Sequence, residues 1–298
     1  LLQEIKKITS NYALNKIYSA KFYNCPEFRD HVLAQVNKPK LQLSLNLSLV
    51  KVESETLDHL NNVHSLTLDG HNFSCKEISG LTNVYKFYLT FASQFEDPSS
   101  LGNCHVLDLS HCIQIKDVSA LHKVRCLYLR ECFNIQDISC LANVHTLDLS
   151  GCHQIQDVSM LGKVHSLNLS GCKQIMDVSK LGNVNVLNLS GCSEITDVSS
   201  LTRVKHLSLS ECIQITDVSS LANCETLILS GCYLITDVGM LGKVKNLTLS
   251  GCLLLSNVQA LGNIKNLNLS RCSNVRDVSA LGKVKHLNLH RCKQISDV

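Results

Sequence analysis

No stretch of this chain is long and apolar enough to cross a membrane as a helix, and no leader-like segment opens it. The short signatures that carry catalysis or nucleotide binding are also missing. There is no G-x-S-x-G nucleophile turn, phosphate loop, H-E-x-x-H zinc helix or G-x-G-x-x-G dinucleotide turn. The glycine-rich G-G-x-G-x-D repeat of calcium-binding coils does not occur either. Tryptophan is absent altogether, and no phenylalanine or tyrosine follows Tyr233, so the last stretch lacks rings on which bases stack. These gaps argue against an enzyme, a cofactor, a resident metal and a nucleic-acid partner.

What is present is repetition. Leu161 to Lys180 reads LGKVHSLNLSGCKQIMDVSK, and Leu181 to Ser200 repeats it as LGNVNVLNLSGCSEITDVSS. From Leu101 the chain follows L-G-x-V-x-x-L-x-L-S-x-C-x-x-I-x-D-V-S-x at a period of 20 residues. V-x-x-L-x-L predicts a short strand whose alternate residues, such as Leu167 and Leu169, face inward. Ser-Gly-Cys predicts a tight turn, and Ile175, Val178 and Leu181 point back into the same interior. A unit this short has no room for a full α-helix, so the return is expected to be extended or 3₁₀. About seven inward apolar side chains at ~1.5–3 kcal/mol each do not cover ~1.5 kcal/mol for every residue ordered. One unit therefore cannot fold alone, and the array must fold as stacked units.

The pattern Val164-x-x-Leu167-x-Leu169-x-x-Cys172-x-x-Ile175 resembles the leucine-rich repeat, with Val for the first Leu and one extra residue after the Cys. Ten units, Leu101 to Val298, carry it, and degenerate units at Leu60 and Leu81 precede them. The resemblance implies an α/β solenoid: a parallel sheet lining a concave face, 3₁₀ or extended returns on the convex face, and a binding role. Its span is expected to be residues 41–298.

Ten of the sixteen cysteines, Cys112 to Cys292, fall in one column. A straight row gives each thiol two equivalent neighbours ~4.8 Å away, hence no unique disulfide partner and no tetrahedral cage. The expected role is a small buried residue whose S–H satisfies a turn carbonyl. The column fits a reducing, intracellular and cytoplasmic setting. Asp117, Asp137, Asp157 and their successors, with Asn257 among them, are expected to cap a single helical turn through backbone N–H groups.

Residues 1–40 read differently. Ile5, Ile8 and Tyr12, then Leu14, Ile17 and Tyr18, then Phe28, Val32 and Val36 give helical spacing, closed at Lys38-Pro39. Two readings stand: a helical cap over the first rung, or an adaptor-docking segment. Leu1-Leu2-Gln3-Glu4-Ile5 resembles the opening of an F-box with Leu2 in place of Pro. Helices leading into cysteine-bearing repeats also resemble F-box substrate receptors and repeat proteins of large DNA viruses of protists, which implies a ubiquitin-ligase adaptor role or, if viral, the host cytoplasm. Leu41, Leu43, Leu45, Leu47 and Leu49 alternate with polar residues and predict the first strand. The chain opens with Leu1 and stops at Asp297-Val298 inside a repeat, so it is expected to continue beyond both and to self-associate end to end when concentrated.

Partner binding is expected on outward strand positions. Charge is uneven: Leu241–Val298 holds nine Lys/Arg against two Asp/Glu, whereas Leu101–Met240 holds nine against thirteen. The candidate contact residues are Arg125, Tyr128, Arg130, Lys205, His206, Lys245, Lys265, Arg271, Lys285, His286, His290 and Arg291. They suit an acidic protein bound to a non-catalytic scaffold. The alternative is a secreted surface protein, similar in architecture to internalins.

Overall fold

A computed structural model describes residues 44–48, 57, 60–70, 73 and 75–295. The expected helices of residues 1–40, and Leu41, Leu43 and Leu49 of the first strand, lie outside them. The chain divides into two compact units, Leu1–Ile135 and Gln136–Val298.

In the first unit, β1 (Ser44–Asn46), β2 (Ser65–Asp69), β3 (Lys86–Thr90), β4 (Val106–Asp108) and β5 (Cys126–Tyr128) pair in chain order, all parallel. Ser44 pairs with Ser65 and Ser65 with Lys86, so the degenerate units are one residue longer than those that follow. One of them uses its length for a single α-helical turn, α1 (Cys75–Ile78), where only an extended or 3₁₀ return was expected. The second unit stacks β6 (Thr146–Asp148), β7 (Ser166–Asn168), β8 (Val186–Asn188), β9 (His206–Ser208), β10 (Thr226–Ile228), β11 (Asn246–Thr248), β12 (Asn266–Asn268) and β13 (His286–Asn288) in the same parallel manner.

One rung shows why these residues form this fold. Val164, Leu167, Leu169, Cys172, Ile175, Val178 and Leu181 are all at most 1% exposed. The strand's alternation supplies the two leucines, and the turn and return supply the rest. Most returns are one 3₁₀ turn, such as Ser159–Lys163 and Gly239–Lys243. Ahead of it, Asp157 Oδ1 accepts from the Ser159 amide at 2.8 Å, and Asn257 does the same for Gln259 at 3.1 Å. The capping expectation holds, with the carboxylate one residue ahead of the N-cap position.

The cysteine column holds too, and its partner lies one rung back. Cys192 Sγ donates to the Leu169 carbonyl at 3.2 Å, and Cys172 Sγ to that of Leu149 at 3.2 Å. Each carbonyl also accepts an amide from its own turn; Cys172 N reaches Leu169 O at 3.1 Å. The thiols therefore fasten successive rungs by filling the second lone pair of a strand-end carbonyl. Burial pushes the Cys172 thiol up to about 12. The turn itself needs a left-handed residue: Gly171 has φ 75° and Gly191 φ 73°, yet Glu131, Glu211, Arg271 and Arg291 adopt 54–63° without being glycine. At the last described rung, Val284, Leu287, Leu289, Cys292 and Ile295 are half-buried rather than buried.

Candidate partner-binding surface

The outward strand positions form the sheet face in both units, but they are more occupied than the sequence implied. The residue between the two leucines folds onto its own backbone. Asn168 Oδ1 accepts from Ser170 N at 3.1 Å, and Asn188, Asn268, Asn288 and Asp148 repeat the bond at 2.9–3.0 Å. This Asx turn ends those five strands and leads into the left-handed residue, whereas β5, β9, β10 and β11 carry Tyr128, Ser208, Ile228 and Thr248 at that position. The row is thus partly structural: at its Asn and Asp positions one side-chain oxygen is committed to the backbone.

In the second unit, β11, β12 and β13 frame an open groove of about 500 Å³ lined by Asn246, Thr248, Asn266, Asn268, Lys285, His286 and Asn288. Asn266 Nδ2 donates to Asn246 Oδ1, and Asn246 Nδ2 to Thr226 Oγ1 at 3.3 Å, so the floor is a hydrogen-bonded amide ladder. At the strands' N-terminal ends stand the exposed Lys245, Lys265 and Lys285, with Lys205 earlier in the same column. Lys245 Nζ is 3.1 Å from Glu225, whose carboxyl is held low first by that hydrogen bond and then by the charge. Among the described residues, Lys265 and Lys285 have no ion-pair partner. His206 and His286 are exposed one step further in, on β9 and β13.

Arg271, His290 and Arg291 stand in other columns than these lysines. They lie past the C-terminal ends of the strands, five or six residues along the chain from the lysine column. The basic residues thus form two rows bordering the face, one at each end of the strands.

Arg125, Tyr128 and Arg130 belong to the first unit and a different chemistry. Arg130 lies over the Tyr128 ring at 5.6 Å. Around them stand residues that the sequence reading passed over. Tyr85 stacks between His64 at 4.8 Å and His105 at 4.6 Å, and Phe91 stacks on His111 at 4.3 Å. His111 Nδ1 is 3.3 Å from Glu131. Burial, then Tyr128 and Asp108, raises the Tyr88 phenol. Tyr85 and Phe91 are 42% and 50% exposed, so the first unit presents exposed aromatic rings here. Carrying the repeat columns back through the degenerate units would have found them, because His64, Tyr85 and His105 share one column.

Catalytic chemistry finds little footing. Burial raises the thiols of Cys104, Cys212 and Cys232 to about 12, far from the thiolate that a nucleophile requires. Among the described residues, no three His, Cys, Asp or Glu side chains are placed to hold a metal, and no helix is long and apolar enough to cross a membrane.

Stacked parallel rungs, a leucine-lined core, Asx-ended strands and single-turn returns define a leucine-rich-repeat solenoid. Solved structures agree. An internalin, InlF, from Listeria monocytogenes str. 4b F2365 superposes with a TM-score of 0.57 at 20% identity, covering 90% of this chain and 96% of that one. A leucine-rich-repeat protein of Leptospira interrogans gives 0.48 at 15% identity, covering 89% and 91%. The functional domain of InlJ from Listeria monocytogenes, which includes a cysteine ladder, gives 0.47 at 18%, covering 83% and 69%. No family model and no curated protein matches the chain. At 20% identity the likeness to the InlF structure shows the fold alone.

Proposed function

We propose that this solenoid is a non-catalytic recognition scaffold whose sheet face over β11–β13 binds an acidic stretch of a protein partner. The observation that carries the reading is the amide-floored groove bordered by Lys265 and Lys285, neither of which has a carboxylate partner among the described residues. Asparagine amides and His286 offer donors to backbone carbonyls and carboxylates, and the lysine column supplies steering charge. Tyr128, Arg130 and Tyr85 in the first unit are residue types that dominate binding energies and suit a contact of their own. Among the described residues most cysteines are buried, which supports an intracellular site of action. Residues 1–40 serve, on this reading, to cap the array or to dock it to an adaptor in the manner of an F-box receptor.

The test is an array of acidic, neutral and basic peptides probed with the full chain and with a Lys245→Glu/Lys265→Glu/Lys285→Glu variant. The acidic peptides should bind, roughly tenfold more weakly for every threefold rise in salt where two charges are neutralised, and the variant should lose them. Equal binding of acidic and basic peptides, or an unaffected variant, refutes the reading. The internalin-like alternative predicts a folded protein after oxidative secretion, with disulfides outside the cysteine column.

A further inference from the structure

Beyond the sheet face, the turns that follow β9, β10 and β11 carry an apolar patch. Ile213, Tyr233, Leu234, Leu253 and Leu254 are each 43–47% exposed. They occupy two neighbouring columns on three successive rungs. In the same columns the preceding rungs carry Lys173 and Ser193, Gln174 and Glu194, and the following ones Ser273 and Lys293, Asn274 and Gln294. The repeat therefore tolerates polar residues there, and the apolar set is local. A contiguous apolar patch inside a polar rim marks a contact surface.

Its rim is polarised. On the side of the earlier rungs stand exposed Glu194 and Glu211; on the side of the later ones stand exposed Arg271, Arg291 and Lys293. Glu194 is held at the rim by Gln214, whose Nε2 donates to Oε2 at 3.4 Å. Glu211, Arg271 and Arg291 occupy the left-handed position with φ 61°, 63° and 61°, a conformation costly for them, whereas the two rungs between use Gly231 and Gly251. A side chain on Gly231 would lie 3.4 Å from Glu211 Cγ and 3.7 Å from the Tyr233 hydroxyl, so Glu211 and Tyr233 close over that glycine. Strain retained at charged positions beside a bare centre is the pattern of a functional surface.

The geometry points to a second copy of this chain as the occupant. We infer that two copies pair side by side through this patch about a two-fold axis passing between the rungs of Gly231 and Gly251. Such an axis sets Glu211 against Arg271 of the second copy and Glu194 against its Arg291 and Lys293. Tyr233 then meets Leu253, and Leu234 meets Leu254, across the axis. A contact with opposite charges equidistant from its centre is self-complementary, as an isologous dimer requires. The acidic half of the rim speaks against an anionic lipid surface. The patch lies at the strand ends opposite the lysine column, so the dimer leaves the groove open and stands independently of the acidic-partner reading. Five side chains per copy fall short of the ~1,200 Å² at which stable interfaces begin, so the dimer should be weak, with a dissociation constant on the order of 100 μM.

Sedimentation equilibrium of the full chain from micromolar to millimolar concentration tests this. A closed monomer–dimer equilibrium, weakened by salt, is expected. Leu253→Asp should weaken it by at least about tenfold. Glu211→Arg and Arg271→Glu should each weaken it, and the double variant should recover most of the loss. All three side-chain changes are at exposed positions, and unchanged thermal melting confirms folding. A monomer up to millimolar concentration overturns the inference and gives the patch to a different molecule. Open-ended polymers indifferent to Leu253→Asp overturn it as well, as does a double variant no tighter than the singles.

Discussion

Cys192 offers the sharpest test of how the rungs are held. Its side chain is fully buried, and its thiol reaches the Leu169 carbonyl of the preceding rung at 3.2 Å. That carbonyl also accepts the Cys172 amide at 3.1 Å. Cys192→Ala removes one heavy atom, worth about 1 kcal/mol in burial and residual space. It also removes a weak S–H bond of about 0.5 kcal/mol. The carbonyl is not orphaned, because the amide bond remains, so the penalty for an unsatisfied group does not apply. The expected cost is about 1.5–2 kcal/mol. Cys192→Ser keeps a donor and should cost about 0.5–1.5 kcal/mol, the shorter C–O bond packing less well. Cys192→Asp places a carboxylate against a carbonyl oxygen with no cation near, and should cost about 3–5 kcal/mol or prevent folding of the neighbouring rungs. Urea unfolding under reducing conditions, followed by circular dichroism, gives the order: wild type, Ser, Ala, Asp. An Ala variant as damaging as Asp would mean that the carbonyl depends on the thiol alone. Three variants indistinguishable from wild type would mean that the column is not buried.

Other outcomes follow from single positions. A Cβ at Gly162 would lie 2.3 Å from the Lys180 carbonyl oxygen, so Gly162→Ala should lower the urea midpoint, and an unchanged midpoint would show that the next rung gives way. Alkylation of the native protein should label the half-exposed Cys126 and Cys140 well before Cys172 or Cys212, whose thiols sit at about 12; equal labelling without denaturant refutes the burial. The capping carboxyls Asp137, Asp157, Asp177 and Asp197 are held below their ordinary value of 3.8 by the serine amides they accept from. A depressed folded-state value contributes stability that is present above 3.8 and is lost as pH falls through the lower folded value. Acid unfolding should therefore steepen below about pH 4, and Asp→Asn at these positions, which keeps the cap as Asn257 does, should flatten it.

Much of this protein was legible in its sequence, because a repeat prints its own geometry. A period of 20 residues with Leu at two alternate strand positions leaves one way to bury both, and stacking follows because no unit can fold alone. The buried thiols, the capping Asp row and the short returns came from the same columns. The sequence by itself did not decide what each column touches across rungs. That Cys192 answers Leu169 and not its own turn depends on a neighbour 23 residues away. The two basic columns were legible in the sequence, but that they stand at opposite ends of the strands is a property of the rung. The aromatic stack of His64, Tyr85 and His105 hid in units whose lengths break the period. Which residues line up along one chain is a matter of period; which atoms meet is a matter of the packing distance between rungs, and that exists only once they stack.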